Sequence, residues 1–203
     1  SFADSTDFWT VISPNTATTG KYSGGCDVVA EKLTFTQHTR GGAGAYNNGS
    51  IHTVYQAIDV SGTEFIDLSA NGQADTISIT EGNGGTTVVK NASTLRVGIT
   101  SQIPANNITW NTNNAGSSAA QFLSPNGSTS MYDLVNYDGQ PSYLEWVSPL
   151  TGNFSFFKAI KEVLNIDVSS YTTVYLVVVN FTDFTVPSSN DWYTSGNNNG
   201  QLE

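Results

Sequence analysis

The chain holds a single cysteine, Cys26, so no disulfide can form within it. Cys26 is expected to act as a small buried hydrophobe. Only two histidines occur, His38 and His52, and with Cys26 they show neither a CxxC nor an HxxxH spacing. No metal site is expected from them. Positive charge is scarce as well. Seven Lys and Arg face seventeen Asp and Glu, for a net charge of −10. Lys and Arg on phosphates supply most affinity for nucleic acid. Nucleic acid is therefore excluded as a partner, and an anionic membrane surface with it. No apolar run approaches the ~18–20 residues of a membrane-spanning helix, so no membrane insertion is expected.

Catalytic signatures are missing too. There is no GxSxG elbow, no Walker-type or dinucleotide-binding loop and no EF-hand spacing. The acidic residues on expected strands (Glu64, Asp67, Glu145, Asp183) are scattered. None stand as the facing pair that glycoside hydrolysis uses. The expectation is a protein without enzymatic activity and with no required cofactor. Calcium stays open, because Asp59, Glu64, Asp67, Asp75 and Asp138 offer hard oxygen ligands.

What is present points to β-structure. Charged residues make up 12% of the 203 positions, about half the usual share, and Asn, Ser, Thr and Gly fill the gap. Aromatics reach 11%, which a disordered chain would lack. Tyr171–Phe184 reads YTTVYLVVVNFTDF, and its unbroken stretch Val174–Val179 is expected to be a central strand covered on both faces. Alternating apolar and polar residues predict strands at Val29–Gln37, Ile51–Val60, Thr94–Thr100 and Ser142–Val147. Thr63–Leu68 and Ala74–Thr80 flank Asn71-Gly72, the strongest hairpin signal in the chain. Phe156, Phe157, Ile160, Val163 and Leu164 recur at helical spacing behind a capping Ser155, which predicts one short helix near 156–164. Frequent turns between short strands predict an all-β fold, an antiparallel β-sandwich of jelly-roll or Ig-like type.

Three segments are expected. Residues 1–25 hold an apolar strand, Phe8–Ile12, on a pliant tether of loop composition. Residues 26–187 form the sandwich. Residues 188–203 are a polar tail that still carries Trp192 and Tyr193. A start at Ser1 fits removal of either a signal peptide or an initiator Met. Both ends are expected to dock, on the chain's own body or on a neighbouring copy.

The leading functional reading is a structural subunit that polymerises outside the cell as a filament or sheath, with copies of itself as partners. Phe2, Phe8, Trp9, Val11, Ile12, Trp192 and Tyr193 are its candidate subunit contacts. A low-charge surface lets neutral faces pack without desolvating ions. A strand donated to a neighbour's sheet edge would link the copies. A virion coat, decoration or tail-tube protein fits the same composition. A secreted glycan-binding module is the alternative of a different class, with Tyr46, Trp110, Tyr132, Tyr137, Tyr143, Trp146 and Trp192 as candidate stacking platforms. N-x-S/T sequons at Asn48, Asn91, Asn107, Asn126 and Asn153 are glycosylation candidates. Their density is what so Asn-, Ser- and Thr-rich a chain gives by chance. A sixth, at Asn180, falls at the end of the expected buried strand.

Overall fold

The computed structural model of the chain describes residues 9–12, 22–41, 50–75, 77–81, 88–91, 93–103, 132–148, 156–182, 192–194 and 197–202. Every regular element among these residues is a strand. In chain order they are β1 (Thr10–Ile12), β2 (Tyr22–Val29), β3 (Lys32–Gly41), β4 (Ser50–Asp59), β5 (Phe65–Asp75), β6 (Ile77–Glu81) and β7 (Val88–Asn91). There follow β8 (Ser93–Thr100), β9 (Tyr143–Val147), β10 (Phe156–Asp167), β11 (Thr173–Thr182), β12 (Trp192–Thr194) and β13 (Asn197–Leu202). All pair antiparallel, in a five-stranded sheet and an eight-stranded sheet. One core is shared between them, so the expected antiparallel sandwich is present.

The smaller sheet runs β1-β4-β11-β8-β9, with β11 in the middle. Val174 and Val178 face the core. Val177 and Val179 face the other way and are equally buried. The side chains of a strand alternate across its sheet, so both faces of β11 are covered, as its apolar run implies. Asn180 ends this run at zero exposure, with its Nδ2 donating to Ser93 Oγ at 2.9 Å and to the Thr94 carbonyl at 3.1 Å. Burial rules out its sequon as a glycan acceptor in the folded chain.

The larger sheet is built around the chain's end. β13 lies between β3 and β5, and β12 lies between β3 and β6. The segment expected as a polar tail thus contributes backbone pairing to the interior of a sheet. β2 takes the opposite edge of β3, and β10 takes the outer edge of β5.

Two sequence expectations are overturned here. Residues 156–164 are strand, not helix: Phe156–Asp167 pairs with β5 almost residue for residue. Ala159, Lys161 and Val163 turn inward while Lys158, Ile160, Glu162 and Leu164 face out. The helical spacing of the apolar residues is real, but it leaves Ile160 76% exposed. Ladder bonds to β5 outweigh it. Asn71-Gly72 is likewise no turn. It sits inside β5, where a Cβ on Gly72 would lie 2.5 Å from the Trp146 ring. The glycine is there for close approach, not for a left-handed backbone.

The β2–β3 hairpin turns through Ala30 (φ 51°) and Glu31 (φ 62°), both left-handed and neither glycine. Such a two-residue turn favours Asn-Gly, and an L-residue with a Cβ in this region costs about 1–2 kcal/mol. The double substitution A30N/E31G is expected to raise the unfolding free energy by about 1–2 kcal/mol, read as a higher urea midpoint. An unchanged midpoint would count against strain at this turn.

Candidate functional site

A candidate site lies where the edge strand of each sheet meets the other. β9 ends the smaller sheet and β10 ends the larger one. Side chains stitch the two edges together. Trp146 Nε1 donates to the Ala159 carbonyl at 2.7 Å, and Lys161 Nζ donates to the Glu145 carbonyl. Edge acceptors are thereby filled by side chains, which discourages a further strand from adding there. Lys161 Nζ also lies 5.7 Å from the Trp146 ring centroid and 5.5 Å from that of Phe157.

Above this seam the segment 132–142 crosses from one sheet to the other. At one end the Ser142 carbonyl accepts from Ile99 N, and Ser142 Oγ donates to the Ile99 carbonyl. Asp133 is held by Ser101 N at 2.8 Å and Thr100 Oγ1 at 3.0 Å. At the other end Asn136 bridges to Ile166, and Tyr137 N donates to the Asn165 carbonyl at 3.0 Å. Asn165 is itself fixed. It is a left-handed residue (φ 56°) in the β10 bulge, and its N donates to Asp67 Oδ1 at 2.8 Å.

The tip of this segment is a tight turn, Asn136 to Gln140. Asn136 N donates to the Gln140 carbonyl, and Gly139 N donates to the Asn136 carbonyl, both at 2.9 Å. Asn136 Oδ1 accepts from Asp138 N at 3.0 Å and Gln140 N at 2.8 Å. This is the Asx side-chain bonding that favours such turns. Gly139 (φ 75°) supplies the left-handed step. Tyr137 stands on this braced turn with 81% of its surface exposed.

Beside the turn opens a cleft of about 730 Å³. Asn136, Asp138, Gln140, Tyr143, Glu145 and Glu162 bring most of its polar groups, while Leu144, Val163 and Leu164 add apolar floor. Tyr143 is set by its neighbours. Its ring packs on Tyr132 at 5.1 Å, and the Arg96 guanidinium lies 5.0 Å from its centroid. Arg96 Nε in turn donates to Glu145 Oε2. Tyr132 lies over Gly98, where any Cβ would strike its ring, and burial pushes its phenol well above the usual range.

The candidate aromatics thus part company. Tyr143 lines the cleft and Tyr137 stands exposed on the adjoining turn, whereas Tyr132 and Trp146 are buried. Tyr46 and Trp110 fall outside the described residues. Among the candidate subunit contacts, Phe2 and Phe8 also fall outside them. Trp9 packs on the core, Val11 is 44% exposed, and Ile12 pairs with Thr53. Trp192 pairs with Gly41 and Glu81, and Tyr193 with Arg40 and Thr80. Of the sequons, Asn91 ends β7, while Asn48, Asn107, Asn126 and Asn153 lie outside the described residues.

His38 and His52 lie on different sheets, paired with Ser23 and Asn180. Cys26 is half-buried against the core, and burial, with Asp27 adding to it, pushes its thiol up to about 12. That suits an inert hydrophobe. Among the described residues, no three His, Cys, Asp or Glu gather as metal ligands. Asp59 accepts from Ser61, Asp67 from Asn165 and Asp75 from Gln73.

The signal that marks the site in the sequence is short. Asn136-Tyr137-Asp138-Gly139 has turn chemistry, and an aromatic inside a turn is exposed by construction. Gln140, Lys161 and Glu162 carry no such signal, because only the meeting of β9 with β10 brings them to the cleft.

No family model matches the chain, and no curated protein does. Among solved structures the chain overlays TmCBM61 in complex with β-1,4-galactotriose at 9% identity and a TM-score of 0.31, covering 98% of this chain and 90% of that one. It overlays the lectin UEA-II complexed with galactose at 11% identity and a TM-score of 0.27, covering 96% and 100%. It also overlays the enzymatically active domain of bacteriophage CBA120 tailspike protein 4 at 8% identity and a TM-score of 0.24, covering 98% and 20%. Among the described residues no helix is long and apolar enough to cross a membrane.

Proposed function

We propose that this chain is a secreted, non-enzymatic glycan-binding module, with its site at the cleft between β9 and β10. The observation that carries the reading is Tyr137, an 81% exposed ring on a turn braced from both sides. An exposed aromatic offers a broad stacking face, and a stiff turn lets it bind with little loss of conformational freedom. A sugar ring offers an apolar C–H face for stacking and a rim of hydroxyls. The amide and carboxylate groups of Asn136, Asp138, Gln140 and Glu162 are placed to meet that rim. Affinity electrophoresis through gels containing polysaccharide tests this. Retardation of the native chain, lost in Tyr137→Ala, is the expected result.

The second reading is the self-assembling subunit of a surface filament, sheath or virion, and one observation favours it. Among the described residues β1 is a three-residue strand at a sheet edge, paired with β4. A short strand held by one partner gives up little pairing when it is exchanged between copies. Under this reading, deleting residues 1–13 leaves a folded monomer that no longer polymerises, as seen by electron microscopy and sedimentation. Unfolding of the deleted chain would make β1 an ordinary part of its own sheet.

A further inference from the structure

We infer that the cleft selects uncharged glycans and turns away acidic ones, an inference that rests on the glycan-binding reading above. The charges on its walls are unequal. Among the described residues Asp138, Glu145 and Glu162 line it, against one cation, Lys161. Lys161 is drawn inward. Its amino group donates to the Glu145 carbonyl and lies over the Trp146 and Phe157 rings. Arg96, paired with the lining residue Glu145, donates to its Oε2. Recognition of a uronate, sulfate or sialate calls for a cation turned toward the ligand, with its planar or point charge unengaged. Here Lys161 serves the seam between the sheets, and Arg96 pairs across β8 and β9 within the smaller one. The whole chain adds a net charge of −10, which repels a polyanion at a distance.

Uncharged hydroxyls suit the same walls. A carboxylate accepts two hydrogen bonds side by side, and a pair of neighbouring hydroxyls donates them. The Gln140 and Asn136 side chains extend the polar rim. The Asn136 carbonyl oxygen is already engaged by the turn, which leaves its NH2 as the group to donate.

The test is affinity electrophoresis of the intact chain through gels with neutral glucan, mannan or galactan and with polygalacturonate, at low salt and at high salt. Retardation by a neutral polymer, insensitive to salt, with polygalacturonate at least ~10-fold weaker supports the inference. Retardation by polygalacturonate as strong as by any neutral polymer, and removed by Tyr137→Ala, would overturn it while leaving the cleft as a glycan site. No retardation by any of the polymers would overturn the glycan-binding reading and this inference together. Within the supporting case, D138N/E162Q should narrow the gap between acidic and neutral polymers.

Discussion

Replacing Trp146 by alanine is expected to lower the unfolding free energy by about 3–5 kcal/mol. Trp146 is the largest fully buried side chain described. It reaches from the edge of the smaller sheet to Gly72 in the larger one, whose missing Cβ makes room for the indole. Its Nε1 is also the donor that meets the Ala159 carbonyl. The substitution therefore removes packing between sheets and a partner of an edge carbonyl at once. A domain of this kind is stable by only about 5–15 kcal/mol, so the loss takes a large share. Trp146→Phe keeps most of the volume and loses the donor, and it should cost about 1–2 kcal/mol. Urea denaturation followed by circular dichroism reads both. A loss below about 1 kcal/mol for alanine would mean that the sheets are not keyed together by this residue.

The second large effect concerns binding. Tyr137→Ala should weaken glycan affinity by at least ~10-fold, the equivalent of about 1.4 kcal/mol. Stability should not change, because the ring is mostly in water and its turn is held by backbone groups and by Asn136. Binding calorimetry with a retained polysaccharide and a thermal melt give the two readings side by side. Affinity unchanged by the substitution would remove Tyr137 from the site. Affinity lost together with stability would instead point to collapse of the 136–140 turn.

These two tryptophan and tyrosine residues show where local sequence stops informing. Both were legible as aromatics suited to stacking. Trp146 alternates with Tyr143 and Glu145, which suggests a core position on a half-buried strand. Tyr137 sits beside Asp138-Gly139, which suggests a turn. Which of them meets solvent was decided by the partners each strand found. The same holds for Asn71-Gly72. Its local preference is a hairpin, yet Gly72 is required flat in β5 beneath an indole from 74 residues away in the chain. Residues 156–164 have a helical apolar stripe, and the ladder with β5 still makes them strand. A pattern over nine residues cannot register a pairing partner some ninety residues upstream.

By itself the sequence determined the class of fold and the central strand, because alternation and β-branched runs are local properties with a period of two. The burial of Asn180 at the end of that run follows from the same pattern, and the structure shows it. Only the tertiary structure decided that β13 enters the middle of the larger sheet, that β9 meets β10, and that the braced turn carrying Tyr137 borders the cleft they form. Those are contacts between residues far apart in the chain. Their free energy comes from surfaces that do not exist until both sheets are in place.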